Sequence, residues 1–221
     1  FGWMAWVFVR NWLLLLIVAG GLHHWFYGID GQGKLLKYDP RPYFKRKNAL
    51  FKFGYQTWDN VYHSMIFGAT FLSVLECFLR WSYASELIST LSFSAHPVWF
   101  IALFPVLALW QSLHFYVVHL ALHQPAIYRH VHAVHHRNVN TGPWSGMSMH
   151  PVEHVLYLSS VLVHFVIPSH PVIVLLHLYS RALGPAFSHA GFEKLLAGDR
   201  EVMDAADFHR CDVQAALRHV Y

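Results

Sequence analysis

Long apolar segments constrain the possible folds of this sequence more than any other feature. Three of them, at about residues 1–22, 61–81 and 98–118, approach the ~20 residues that a helix needs to cross the core of a bilayer. Charged residues make up only 13% of the chain, whereas an average soluble domain contains about 25%. We therefore predict an all-α fold, an integral membrane helical bundle with about three full spans.

A fourth apolar region, residues 155–187, is interrupted by Pro168 and Pro171. Each half has about 13 to 16 residues, which is short for a full span. Because proline removes a helical hydrogen bond and breaks a helix, we predict two helices that form a re-entrant or shallow hairpin.

Basic residues are concentrated in the loop that follows the first apolar segment, residues 23–60. They are Lys34, Lys37, Arg41, Lys45, Arg46, Lys47 and Lys52. Such an excess predicts a cytosolic loop, and two further crossings bring the end of the third span back to the cytosol. The net charge of the chain is only +4, and its basic residues are locally clustered, so we expect no nucleic-acid partner.

Nineteen histidines are an unusual number in a chain of this kind, because histidine is costly inside a bilayer. His119 and His123 are four residues apart, which places them on one face of a helix. That pair alone is weak evidence, but His132, His135 and His136 follow within eighteen residues. Five histidines with these spacings at the end of a membrane helix predict a metal site.

The type of metal follows only in part from the residues. Neutral imidazole is a ligand for iron, zinc and copper. The two cysteines, Cys77 and Cys211, lie away from the histidines and form no CxxC motif, which argues against a zinc finger or an iron–sulfur cluster. The residue types leave di-iron and di-zinc open.

The run HLALHQPAIYRHVHAVHH, residues 119–136, resembles the first two histidine boxes of the fatty acid hydroxylase superfamily. Residues 148–153, SMHPVE, resemble the segment that follows the second box in sterol desaturases of that superfamily. Residues 188–192, SHAGF, resemble the segment that precedes the third box. The resemblance covers roughly residues 98–208, and within the superfamily it is nearest to sterol C-5 desaturases.

The resemblance implies a set of site residues and no catalytic residues beyond the metal ligands. The implied ligands are His119, His123, His132, His135, His136 and His189. Candidates either for ligation or for support of a ligand are His150, Glu153 and His209. It also implies two iron ions, dioxygen as co-substrate, and electrons from NAD(P)H through a b-type cytochrome and its reductase.

The sequence departs from the superfamily pattern in two places. Leu120 stands where many relatives have arginine. The third box, of the HxxHH type, is absent after Phe208, where residues 209–221 have a different character. We therefore divide the chain into N-terminal spans with a basic loop (1–97), a catalytic region (98–208) and an atypical end (209–221), which we expect to reflect truncation or a frame shift. We also expect a fragment at the start of the chain, because residue 1 opens inside an apolar segment.

The expected function is that of a membrane-bound, non-haem di-iron oxidoreductase in lipid biosynthesis, located in the endoplasmic reticulum. It would use dioxygen to desaturate or hydroxylate a lipid, with a sterol or sterol precursor favoured by the SMHPVE segment. Fatty acyl or sphingolipid hydroxylation and polyisoprenoid epoxidation are alternatives within the superfamily. A catalytically inactive metal-binding relative or a metal transporter is the alternative from another class, although a transporter would place its ligands in the middle of the spans.

Other residues have weaker assignments. The loop formed by residues 138–149 is a candidate wall of the substrate pocket, with Trp144, Met147 and Met149 as its members, and a plain connector is the alternative. We expect His114 to form a hydrogen bond between helices. Interfacial or packing roles are expected for His154, His164, His170 and His177.

Overall fold

Helices dominate the described part of this protein, for which we analysed a computed structural model. The structure describes residues 2–41, 47–197 and 200–204, with side chains as far as residue 196. The α-helices are α1 (Gly2–His23), α2 (Gln56–Tyr62), α3 (Thr70–Ala84), α4 (Pro97–Leu122), α5 (Pro125–Ile127), α6 (Ala133–His136), α7 (Pro151–Leu158) and α8 (Pro171–Ser188).

Shorter helical turns connect several of these helices. The π-helical turns are His24–Gly28, His63–Ala69 and Tyr128–His132, and the 3-10 turns are Pro143–Met147 and Ser159–Phe165. Two short strands, β1 (Lys194–Ala197) and β2 (Arg200–Asp204), pair in an antiparallel manner with an irregularity between Leu195 and Leu196.

Within the described residues, three continuous helical segments are long and apolar enough to cross a membrane: Gly2–Gly28, Gln56–Ala84 and Pro97–Leu122. They confirm the predicted all-α bundle with three spans. The second segment begins five residues earlier than the apolar pattern suggested. Its first turns carry the buried polar residues Gln56, Asp59 and Asn60, which hydropathy alone assigns to a loop.

The fourth apolar region forms two helical units, as predicted. The first consists of α7 and the 3-10 turn Ser159–Phe165, and the second is α8. Pro171 begins α8 because its missing N–H group needs no partner at that position. Leu72 of α3, Val161 of the turn and Leu178 of α8 pack together in one apolar cluster. A re-entrant course of these units in the bilayer stays a prediction.

A network of ion pairs and hydrogen bonds joins α1, α3 and α8. The carboxylate of Glu76, which is fully buried, accepts hydrogen bonds from Arg10, from Asn11 at 2.9 Å, from Arg80 at 2.7 Å and from Tyr179 at 2.8 Å. Charges in a membrane protein are stabilised by such pairing. Arg10 and Glu76, which stand out as charged residues in apolar segments, are therefore partners.

The 3-10 turn Pro143–Met147 packs tightly against α8. A side chain at Gly146 would overlap the carbonyl oxygen of Pro185, so only glycine permits this approach of two backbones. The hydroxyl of Ser64 donates a hydrogen bond of 2.8 Å to the carbonyl oxygen of Trp144. These contacts hold the turn, and with it the start of α7, in place beside the histidine boxes.

Candidate metal centre

The first histidine pair lies at the C-terminal end of α4. His119 is in its last turn, and His123 is the residue that follows it. Because one helical turn separates them, their Nε2 atoms approach to 3.0 Å. The pair therefore sits at the end of a candidate membrane span rather than at its middle, which argues against a transporter with ligands near the bilayer centre.

The second pair comes from a π-helical turn that continues into α6. His132 ends the turn Tyr128–His132 and His136 ends α6. Their Nε2 atoms are 2.9 Å apart. Each of the histidines 119, 123, 132 and 136 offers a nitrogen, and these nitrogens all lie within 4.8 Å of one another.

The spacing of the two pairs fits ligation of a metal ion. A metal ion lies about 2.1 Å from an imidazole nitrogen that binds it, so two adjacent nitrogens are about 3 Å apart around a six-coordinate ion and about 3.4 Å apart around a tetrahedral one. The pairs at 3.0 Å and 2.9 Å match the first of these separations. We call these four residues, His119, His123, His132 and His136, the four-histidine cluster.

The protonation state of the cluster also suits a metal. Burial, and then repulsion by His123, lowers the pKa of His132 to about 4. His136 keeps part of its surface exposed, but desolvation of its ring, followed by repulsion by His132 and His123, lowers its pKa to about 4 as well. Both imidazoles are thus neutral near pH 7, which is the state in which a nitrogen lone pair is available to a metal.

Glu153, in the first turn of α7, orients one member of the cluster. Its Oε1 lies 2.8 Å from Nδ1 of His132, and both side chains are almost completely buried. Burial raises the pKa of Glu153 to about 7. When ionised, the carboxylate accepts a hydrogen bond from Nδ1–H of His132, which leaves Nε2 of His132 free for a metal ion. Glu153 thus lies where a carboxylate can orient a ligand, and its role in metal binding stays a prediction.

His135 and His189 meet beside the four-histidine cluster. The centroids of their rings are 5.2 Å apart. His135 also stacks on His132 at 5.9 Å, and its Nδ1 lies 3.3 Å from the carbonyl oxygen of Ser148. His189 follows the last residue of α8 and has its Nδ1 2.9 Å from the hydroxyl of Ser188. All six implied ligands therefore lie in one region.

The two remaining histidine candidates are different cases. His150 is the N-cap of α7, where its Nδ1 accepts a hydrogen bond of 3.2 Å from the backbone of Val152. That nitrogen satisfies a helix terminus, and His150 is outside the four-histidine cluster. His209 lies outside the described residues, as does the atypical end at residues 209–221.

A cavity of about 350 Å³ between α4 and α8 reaches the histidines. His119, His132, His135 and His189 all line it. On α4 the wall extends from Phe104 to Leu122, a distance of about 27 Å at 1.5 Å per residue. The cavity therefore follows a candidate membrane span towards the metal site.

The predicted pocket residues divide between the cavity and the core. Met149 lines the cavity. Trp144 instead packs against Leu15 and Ala19 of α1, and Met147 belongs to a buried cluster with Tyr157. The prediction that all three form the pocket wall is corrected to Met149 alone, because the 3-10 turn aims the other two side chains into the core.

The other histidine predictions concern packing. His114 Nε2 lies 3.0 Å from the hydroxyl of Ser159, which confirms a hydrogen bond between two helical units. His164 and His177 are buried, with Nε2 of His164 3.0 Å from Nδ1 of His177, and His154 is fully buried. These three confirm the packing roles expected for them, whereas His170 caps α8 through Val172.

Arg181 is a cavity residue that the sequence analysis missed. It lies on α8, is buried and lines the cavity beside Tyr157. The signal was present, because an ionisable residue inside an apolar membrane segment is a functional candidate by default.

Comparison with known proteins identifies the family. The family model described as "Fatty acid hydroxylase" matches residues 104–214, which is half of the chain and includes both histidine boxes. No curated protein and no solved structure matches the chain. The match and the histidine cluster indicate an oxygen-using, iron-binding oxidoreductase of the membrane hydroxylase or desaturase type. With its boxes at the end of an apolar helix and this match over them, the chain belongs to the fatty acid hydroxylase superfamily.

Proposed function

We propose that this protein is a membrane-bound di-iron oxidoreductase that desaturates or hydroxylates a lipid, with a sterol or sterol precursor as substrate. One observation carries the proposal. Two members of the four-histidine cluster, His119 and His132, form part of the wall of a mostly apolar cavity, and that cavity runs along a candidate membrane span. A mostly apolar cavity beside a metal site suits a substrate that comes from lipid.

The histidines would hold the iron ions in two groups. The four-histidine cluster would hold one ion, and His135 with His189 would contribute to the second. When bound, the irons supply activation of dioxygen for oxidation of an unactivated C–H bond. The same geometry would also suit zinc, so the assignment of iron is supported by the family.

The chain's own side chains prepare the site for this chemistry. Glu153 holds the proton of His132 at Nδ1, which keeps Nε2 directed at the cluster. Phe115 stacks on His119 at 5.0 Å and, with Leu122 and Met149, gives the cavity an apolar wall. These walls exclude water from the reacting carbon and position the substrate.

The choice of a sterol rests on the resemblance of residues 148–153 to the corresponding segment of sterol desaturases, in particular the C-5 enzymes. That segment lies at the site, since Met149 lines the cavity and Glu153 contacts His132 of the four-histidine cluster. Fatty acyl or sphingolipid hydroxylation and polyisoprenoid epoxidation would fit an apolar cavity of the same kind.

The cellular setting is part of the proposal. The basic residues after the first span favour a cytosolic loop, and with three spans the end of α4 would face the same side. Electrons would then come from NAD(P)H through a b-type cytochrome and its reductase on the cytosolic face. We propose the endoplasmic reticulum as the membrane, in keeping with a role in lipid biosynthesis.

Expression of the chain in a host that lacks its sterol desaturase tests the function. The host's sterols, fatty acyl chains and sphingolipids are profiled with the wild-type chain, with His136→Ala, and with His130→Ala as the control. His130 is exposed and outside the four-histidine cluster. We expect a new oxidised or unsaturated sterol with the wild type and the control only.

The other outcomes are equally informative. A changed fatty acyl or sphingolipid profile would replace the sterol with one of the alternative substrates. An unchanged lipid profile, in cells where the folded protein carries iron, would contradict the proposed enzymatic function and identify a catalytically inactive metal-binding relative.

A further inference from the structure

Arg181 is a buried cation on the wall of the cavity. Only 6% of its surface is exposed, and it lies on α8 at the level of Tyr157 and Phe115. Its guanidinium carbon is 4.0 Å from the centre of the Tyr157 ring and 5.6 Å from that of Phe115. The aromatic faces stabilise the cation in part, yet they provide no hydrogen-bond acceptor in the plane of the guanidinium.

The hydrogen-bonding capacity of Arg181 is largely unused. Its Nε and Nη2 are buried and have no hydrogen-bond partner. Among the residues whose side chains are described, no carboxylate forms a salt bridge with it. A buried charge without a partner is destabilising by several kcal/mol in general terms, so its position on a cavity wall points to a ligand that supplies the acceptor.

Other polar side chains on the cavity wall lie near Arg181. Ser180 donates a hydrogen bond of 3.0 Å to Oε1 of Gln111 across the gap between α8 and α4, and Ser112 follows on α4. These residues form a polar region of the wall in addition to the one that the histidines and Glu153 form. These polar residues lie close to the metal site. The centre of the Phe115 ring is 5.6 Å from the guanidinium carbon of Arg181 and 5.0 Å from the centre of the His119 ring.

We propose that Arg181 is a specificity-determining residue that binds an oxygen atom of the lipid substrate. The chemistry it recognises is a hydrogen-bond acceptor, either a carboxylate of an acidic lipid or a hydroxyl oxygen of a neutral lipid alcohol. The carboxylate is the better complement, since it also neutralises the buried charge. The substrate is then an amphipathic lipid whose polar group lies within a short distance of the carbon to be oxidised.

This inference rests on the proposed function only in taking the cavity as the substrate site. It makes no use of turnover, so it is tested by binding to the purified full chain in detergent. Two pairs of radiolabelled probes are used: palmitic acid with its methyl ester, and cholesterol with its 3-deoxy analogue. Each pair differs in the charge or the acceptor that Arg181 would bind, and the two pairs separate acidic from alcoholic ligands.

Three chains are compared: the wild type, Arg181→Met and Arg129→Met. Methionine has a similar length and no donors, and Arg129 is a matched control because it is exposed and does not line the cavity. Loss of a hydrogen bond to a charged group predicts roughly 10- to 100-fold weaker binding of the preferred oxygenated lipid by Arg181→Met. The uncharged or deoxy partner of that lipid should bind equally to all three chains.

A thermal melt of the lipid-free chains distinguishes a binding role from a structural one. A binding role predicts that Arg181→Met melts at the same temperature as the wild type or higher, since an unpaired buried charge is removed. A purely structural role over Tyr157 predicts a lower melting temperature with unchanged lipid binding, and that pair of results would overturn the proposal.

If Arg181→Met does not fold, the wild type still decides the question. Equal affinity for both members of each probe pair would overturn the proposal, and a preference for the acid or the alcohol supports it and names the source of the oxygen. Arg181→Lys, which keeps the charge but loses the planar fork, should then retain part of the preference. If the purified wild type shows no preference within either probe pair while the host's lipids are oxidised in cells, the role of Arg181 in specificity is wrong and the proposed enzymatic function stands.

Discussion

His132 Nδ1 lies 2.8 Å from Glu153 Oε1 although 21 residues separate them in sequence. The contact joins the second histidine box to the first turn of α7 and fixes which nitrogen of His132 faces the rest of the cluster. Partners of this kind set the tautomer and the orientation of a metal-binding histidine.

Substitution of Glu153 should weaken metal binding without loss of the fold. We expect Glu153→Ala to lower the affinity for ferrous iron by roughly 10- to 100-fold, because His132 loses its orienting partner. Glu153→Gln keeps an acceptor oxygen and should lose less. Iron titration of the metal-free chains measures the effect, and equal affinity in all three chains would show that the contact is unimportant for the metal.

The depressed pKa values of the cluster predict an unusual pH profile of metal binding. Protons compete with a metal for the same nitrogen, and the pKa values of His132 and His136 are lowered to about 4, from about 6.5 for a free imidazole. Competition by protons at His132 and His136 should therefore stay weak from pH 8 to about 5.5 and become strong below about 4.5.

The profile is best measured on Glu153→Gln, in which the carboxyl group with a pKa near 7 no longer titrates. A decline centred near pH 6.5 in that variant would contradict the lowered pKa values of His132 and His136.

The ionic network around Glu76 should be essential to the bundle. Glu76→Ala leaves the partly buried Arg10 without its carboxylate, and breaking such a pair costs about 3–5 kcal/mol of unfolding free energy. The double variant Arg10→Met, Glu76→Met removes both charges of this pair, leaves only the exposed Arg80 without its carboxylate, and should be more stable than Glu76→Ala. Unfolding by titration with a denaturing detergent measures both, and a double variant less stable than the single one contradicts the account.

Gly146→Ala should disturb the packing of the turn Pro143–Met147 against α8, which supports the second histidine box. The added carbon meets the backbone oxygen of Pro185, which cannot rotate away, and overpacking of this kind costs about 1–3 kcal/mol. Gly21→Ala is the matched control, since a side chain there meets no atom within 4 Å. The melting temperature in detergent should fall for Gly146→Ala only; an equal response of both variants would remove the role assigned to this close approach.

The membrane spans and the histidine cluster were predictable because local patterns determine them. A run of apolar residues long enough to cross a bilayer is visible in the sequence, and spacings of four residues place His119 with His123 and His132 with His136 on common helix faces. The beginning of the second span was not predictable, because Gln56 and Asp59 are polar yet buried in the helix.

Contacts between distant residues could not be predicted from patterns. Arg10 and Glu76 each looked like an isolated charge in an apolar segment until the fold brought them together. Trp144 and Met147 were placed in the pocket because they lie in a loop, whereas the approach of Gly146 to α8 directs them into the core. Arg181 became a site residue only when α8 was packed against α4.

Elemental analysis of the purified protein shows whether these histidines hold iron, as a lipid-oxidising enzyme of this family requires. Wild type, His136→Ala and the exposed control His130→Ala are prepared in parallel from iron-supplemented cells. We expect about two irons per chain in the wild type and in His130→Ala, and a clear loss in His136→Ala. No stoichiometric iron in the wild type, or the same iron content in His136→Ala, would contradict that expectation.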